Sequence, residues 1–117
     1  MIDSRAILDE FMSGVGKLAE TNGSVIGKFV DLDGAAGVEG EVLDAKTKEL
    51  ICVGIGINKI CKYCITVHVN NAYAAGATRE EILAAAEIAL TFGGGPALAY
   101  SASYLNAALD TFEHDYD

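Results

Sequence analysis

Residues 58 to 72, "NKICKYCITVHVNNA", hold two cysteines three apart and a histidine four further on, in a chain with one other cysteine, Cys52, and one other histidine, His114. At about 100° per residue on a helix, Cys61, Cys64 and His68 fall within about 60° of one another, with Asn71 near the edge of the same face. Lys62 and Tyr63 point elsewhere. Two thiols and an imidazole so placed can exchange a disulfide with proton transfer, bind zinc, or simply pack as small side chains.

The redox reading makes a demand on the backbone. A cysteine pair at this spacing inside a helix has Cβ atoms about 5 to 6 Å apart, whereas a disulfide wants about 3.5 to 4.5 Å. The pair closes only if the first turn gives way, and Cys61 stands where that is easiest, at a helix start after the break at Asn58 and Lys59. Free backbone N–H groups there favour a thiolate. His68, one turn beyond Cys64, can take or return its proton. By the helix dipole Cys61 is the better nucleophile, and by nearness to His68 it is Cys64.

A third proton carrier could come from the preceding helix. If the two helices pack as an antiparallel hairpin, counting back from Ile57 at about 1.5 Å per residue puts Glu49 level with the second turn of the next helix, near Cys64 and His68. Alone, Glu49 reads as a solvated helix residue. Zinc would take Cys61, Cys64, His68 and Glu49, but structural zinc sites usually present a second ligand pair from another segment, and none is found. Cys52, beside Val53, reads as a core residue. His114 lies in the acidic tail "EHDYD" and reads as solvated.

The elements that must position these groups read as helices, about six of them, and the fold class as all-α, because apolar residues recur with the helical period and no alternating stretch argues for a sheet. The first helix runs from Ser4 to Glu20, burying Ile7, Leu8, Phe11, Met12, Val15 and Leu18, with "TNG" as its stop. A second from about Ser24 buries Val25, Phe29 and Leu32 and frays where Gly34, Gly37 and Gly40 each cost about 1 kcal/mol. The third follows Asp44 as N-cap and turns Leu50, Val53 and Ile57 inward. The fourth holds the cysteines and ends at Gly76. Thr78 and Glu81 stand at capping-box spacing before a fifth, Arg79 to Phe92, and "GGGP" separates it from a sixth, Ala97 to Phe112. No repeat or linker divides residues 1 to 117, which read as one domain.

Composition narrows the partners. The chain has 117 residues, 51% of them apolar, with 13 glycines, one proline and no tryptophan, a surplus that points to surface buried between subunits. A net charge of −9 with only 8 Lys and Arg leaves too little positive charge for nucleic acid or an anionic membrane. The start "MIDSRAILDEF" has acids where an export signal is basic, and no apolar run reads as a membrane span. A cytoplasmic location is expected, where a close cysteine pair is catalytic, redox or metal-binding rather than structural.

Glu49, eleven residues, Cys61-Lys62-Tyr63-Cys64, three residues and His68 together resemble the Glu-x11-Cys-x2-Cys-x3-His signature of the carboxymuconolactone decarboxylase superfamily, in its alkylhydroperoxidase AhpD-like branch. "LDAKTKELI", "AGATREEILAA" and "GGGPA" resemble the same family, so the likeness covers roughly residues 24 to 109. The resemblance implies an all-α bundle assembled into trimers or hexamers. It implies a thiol peroxidase of peroxiredoxin-type activity, or a disulfide reductase, with no tightly bound cofactor and no metal. In that scheme Cys64 attacks the peroxide and becomes a sulfenic acid, Cys61 closes the disulfide, Glu49 and His68 move protons, and an external dithiol restores the pair. The sequence departs from the pattern at Tyr63, where the best-known members carry a histidine, and it lacks their extra N-terminal helical region. Two competing expectations are an acid-base decarboxylase using His68 without thiol redox, and a zinc-stabilised or purely structural oligomer.

Overall fold

The helices that carry the candidate site begin and end on short-range hydrogen bonds. A computed structural model describes residues 1–37 and 42–117. Asp44 lies extended before α2 (Ala45–Asn58), and its Oδ1 accepts the Thr47 N–H at 2.8 Å. The expected N-cap is in place, and the carboxylate is held below its ordinary range by that bond.

α2 closes with a Schellman turn. The Cys61 N–H reaches back to Gly56 O at 3.1 Å, and the Ile60 N–H to Ile57 O at 3.1 Å. Ile60 occupies the left-handed position of this turn, φ 54°, where glycine is usual. α3 (Lys62–Ala74) therefore starts immediately afterwards, antiparallel to α2. It ends on a second turn of the same kind, in which Ala77 N–H meets Ala72 O at 2.9 Å and Gly76 N–H meets Tyr73 O at 2.9 Å. Gly76 supplies the positive φ of 94°.

The Thr78–Glu81 capping box forms as expected and opens α4 (Arg79–Tyr100). A π-helical turn, Ser101–Leu105, and α5 (Asn106–Phe112) continue it without interruption. Val53, Ile57, Ile65, Val69, Ile82, Leu105, Leu109 and Phe112 meet in the core between these helices.

Among the described residues there are four continuous helical rods and no strand, where the sequence predicts about six helices. The all-α class holds, and both missing boundaries are kinks. α1 (Ser4–Gly37) runs through "TNG" with only Asn22 outside helical geometry, because Gly23 does not take the positive φ that would end the helix. "GGGP" likewise bends the rod, at Gly94 (φ 64°, ψ −143°), and Pro96 falls in the first turn after the bend, where its missing N–H costs nothing.

α1 departs furthest from expectation. Ile7 is buried and Leu8 and Val15 are half-buried, but Phe11, Met12 and Leu18 are exposed. Beyond the kink Val25, Phe29 and Leu32 are about two-thirds exposed instead of buried, at 67%, 68% and 65%. The helix also continues through Gly34 to Gly37 rather than fraying; Gly40 lies outside the described residues. Its N-terminal turn is clasped by Arg5, which donates to both Asp115 carboxylate oxygens at 3.0 and 2.9 Å and stacks 5.4 Å from the Phe112 ring.

The rod Arg79–Phe112 is long and apolar enough, by length and composition alone, to cross a membrane, a feature the expectation of no such run missed. In the fold it turns Ile82, Ala86, Ala89, Leu105 and Leu109 onto α2 and α3. Arg79 at its start donates to Asp110 and Glu113 near its end at 2.8 and 3.0 Å.

Gly76 has no heavy atom within 4 Å of where a Cβ would stand, so its substitution tests backbone strain alone. Gly76→Ala is expected to lower stability by about 1 kcal/mol in denaturant unfolding of the disulfide-intact protein.

Candidate functional site

The Schellman turn at the end of α2 sets the geometry of the sulfurs. It leaves Cys61 as N-cap of α3, with φ −117° and ψ 99°, outside the helix proper. Its Sγ accepts the Cys64 N–H at 3.1 Å. Cys61 and Cys64 form a disulfide with Cα atoms 5.2 Å apart. The first turn gives way where the sequence argument requires, and the Cys61 sulfur meets a free N–H at the positive end of the helix. Both cysteines are half-buried.

α2 comes close enough to permit this only because Gly56 has no side chain. A Cβ at Gly56 would lie 3.0 Å from Cys64 Cβ and 3.3 Å from Ile65 N. The cysteine turn is thus pressed between its own helix and the preceding one.

The hairpin also brings Glu49 to His68. Glu49 Oε2 and His68 Nδ1 are 2.7 Å apart, with side-chain exposures of 15% and 22%. A contact this short requires a proton between the two atoms. With Glu49 as carboxylate, Nδ1–H donates, which leaves Nε2 as the basic nitrogen. His68 lies one helical turn from Cys64, a spacing of about 5 to 6 Å between Cβ atoms.

Cys52 is the residue that sequence reasoning misplaced. It is half-buried rather than a core residue, and its sulfur, a Glu49 oxygen and a His68 nitrogen all lie within 4.8 Å of one another. Burial chiefly, then the negative charges of Glu49 and Asp33, pushes the Cys52 thiol up. The spacing Glu49-x-x-Cys52 puts both on one face of α2, a signal present in the sequence but outweighed by the neighbouring apolar residues.

These three groups line a cavity of about 360 Å³. Asn71 and Lys48 also border it, and Asp33, Gly34, Ala36 and Gly37 of α1 form its far wall. Among the described residues its walls include neither Cys61 nor Cys64. His68 therefore stands between two settings, the disulfide one turn before it on α3 and the cavity shared with Glu49 and Cys52.

Tyr63 belongs to neither. Its hydroxyl donates to Glu10 Oε1 at 2.9 Å, and its ring lies 6.3 Å from that of Phe11. The bond to Glu10 pushes the phenol up, and the side chain ties α3 to α1 within the chain. His114 is exposed, as expected, beside Asp117 at 2.9 Å.

Comparison with known proteins gives the family and the fold. Residues 27–107 match the model of the carboxymuconolactone decarboxylase family. An uncharacterised protein of Cupriavidus necator is 31% identical over 88% of this chain and 90% of its own length. An uncharacterised protein of the cox locus of Paracoccus denitrificans is 32% identical over 86% and 89%. Among solved structures, a carboxymuconolactone decarboxylase family protein from Legionella pneumophila in its apo form superposes with TM-score 0.84 at 34% identity, covering 92% of this chain and 95% of its own. A family member from Thermotoga maritima, described as "possibly involved in antioxidative response", superposes with TM-score 0.75 at 27% identity, covering 94% of this chain and 96% of its own.

Gly56→Ala is expected to destabilise the oxidised protein by about 1 to 3 kcal/mol, because neither the Cys64 Cβ nor the Ile65 backbone can retreat freely. Thermal unfolding checks it, and an unchanged midpoint would mean that α2 and α3 are not in such close contact.

Proposed function

From the premise that the chain belongs to the carboxymuconolactone decarboxylase family, we propose that it is a thiol-dependent oxidoreductase of the AhpD-like kind. It reduces a hydroperoxide or a small disulfide with the Cys61–Cys64 pair. The observation that carries this reading is the Glu49–His68 contact at 2.7 Å, one turn beyond Cys64 on the helix whose N-cap is Cys61.

In the reduced protein Cys64 gives its proton to His68, and the thiolate attacks the O–O bond. That bond breaks, the alkoxide takes the proton back from His68 and leaves as an alcohol, and Cys64 becomes a sulfenic acid. Cys61 then attacks the Cys64 sulfur. The S–S bond forms, and the departing hydroxide leaves as water with the Cys61 proton. An external dithiol reduces the pair by exchange. Glu49 holds the Nδ1–H, so that Nε2 handles the protons, and stabilises the imidazolium that forms in passing. No tightly bound cofactor enters these steps. Tyr63 takes no part, because its hydroxyl is engaged by Glu10. Chemistry of this kind fits a reducing compartment such as the cytoplasm.

A second reading is favoured by the cavity, which Glu49 and His68 border and the paired sulfurs do not. It is acid-base catalysis on a small lactone or keto acid, as the family name suggests, without thiol redox.

Self-association completes the proposal. α2 and α4 leave an apolar groove of about 900 Å³ between them, flanked by exposed Ile51, Ile55, Ile88 and Phe92. The same chain extends a helical arm on which Val25, Phe29 and Leu32 are exposed. The occupant proposed for the groove is this arm from a second copy, within a trimer or hexamer.

Cys61→Ser is expected to consume one equivalent of hydroperoxide and stop, and Cys64→Ser to consume none; the reverse pattern would exchange the two roles. Glu49→Gln and His68→Ala are each expected to slow turnover by about 100-fold or more. Full activity after both sulfurs are alkylated would select the acid-base reading instead. For the assembly, Phe92→Asp is expected to reduce the mass measured by light scattering, and an unchanged mass would remove the groove from the interface.

A further inference from the structure

The third cysteine stands apart from the dithiol couple, and its surroundings fit a different chemistry. We propose that Glu49, Cys52 and His68 form a binding site for a borderline-soft divalent cation of the zinc type, separate from the Cys61–Cys64 pair.

A thiolate, an imidazole and a carboxylate are the ligand types that zinc takes in tetrahedral sites, whereas magnesium and calcium prefer oxygen alone. On one tetrahedral ion, ligand atoms bound at zinc distances lie about 3.4 to 3.6 Å from each other. Here the Glu49 and His68 atoms are 2.7 Å apart, and all three donors lie within 4.8 Å of one another. Rotamer shifts of about an ångström bring the set to that spacing.

The scaffold is suited to the task. Glu49 and Cys52 project from successive turns of α2, and His68 faces them from α3, so two packed helices hold the three donors. The cluster borders the 360 Å³ cavity, which leaves room for a fourth, exchangeable ligand, the arrangement of an open rather than a closed zinc site. Asp33 on the far wall adds a second carboxylate, and a cation would offset the two negative charges. A bound ion would also take Glu49 and His68 out of proton transfer.

The test uses oxidised protein, in which the Cys61–Cys64 disulfide denies its sulfurs to a metal, and it uses no peroxide, so it stands whether or not the proposed activity does. After equilibration with zinc and gel filtration, elemental analysis is expected to find one zinc per chain in the wild type and none in Cys52→Ala. In wild-type oxidised protein zinc is expected to protect Cys52 from iodoacetamide, a readout that survives if the variant fails to fold. Zinc retained only after the disulfide is reduced, binding that persists in Cys52→Ala, or Cys52 alkylated at the same rate with and without zinc would each overturn the proposal.

Discussion

The hydrogen bond from Cys61 N–H to Gly56 O is the constraint on which the site depends. It closes α2 and in the same step decides that α3 begins after Cys61 rather than before it. Had α3 taken Cys61 into its first turn, the two sulfurs would stand at interior helical spacing, too far apart for a disulfide. The turn holds Ile60 in a left-handed conformation that a β-branched side chain dislikes by about 1 to 2 kcal/mol. Packing of Ile57 and Ile65 in the core on either side offsets that cost. Strain of this kind survives only where its neighbours over-determine it, and here the strained residue directly precedes a half-buried disulfide.

The same hairpin fixes the proton-handling pair. Because α2 and α3 are antiparallel and separated by a tight turn, a residue nine positions before Asn58 falls opposite one ten positions after it, and Glu49 meets His68. The carboxylate orients the ring and assigns the tautomer. What the hairpin does not do is reserve His68 for the paired sulfurs. Cys52 shares the face of α2 with Glu49, so the imidazole has sulfur one turn before it on its own helix and sulfur across the interface. A thiol held protonated by burial and by Glu49 is a poor competitor for peroxide.

Much of this was legible in the sequence. The N-cap at Asp44, the capping box at Thr78 and Glu81, the glycine stop at Gly76 and the opened first turn at Cys61 all follow from local chemistry, and all are present. Glu49 was singled out by its spacing from the cysteine pair in the family signature, and counting turns back from the hairpin supplied only its level. The misses share a cause. "TNG" and "GGGP" are strong stop signals, yet whether a glycine ends a helix or only bends it depends on the φ it adopts, and tertiary contacts decide that. Cys52 was misjudged because burial was inferred from its apolar neighbours, while the face it shares with Glu49 was the better guide. The apolar stripe of α1 was read correctly as a stripe, but periodicity gives only the direction of a face, not what covers it.

That uncovered face bears on the site itself. The arm beyond Asn22 contains Gly23, Gly27, Gly34 and Gly37, each about 1 kcal/mol worse than alanine in a helix, and a helical segment of about fifteen residues is marginal in water even without them. Its last turn nonetheless reaches the site, because Asp33, Gly34, Ala36 and Gly37 wall the cavity beside Glu49, Cys52 and His68. Intrinsic propensity gives such a helix little stability of its own, and in the proposed assembly burial of Val25, Phe29 and Leu32 against a second copy would supply it. In that assembly, association and the polarity of the site would be coupled through one helix, because a copy covering the apolar face of the arm would also set how closely Asp33 approaches the cluster.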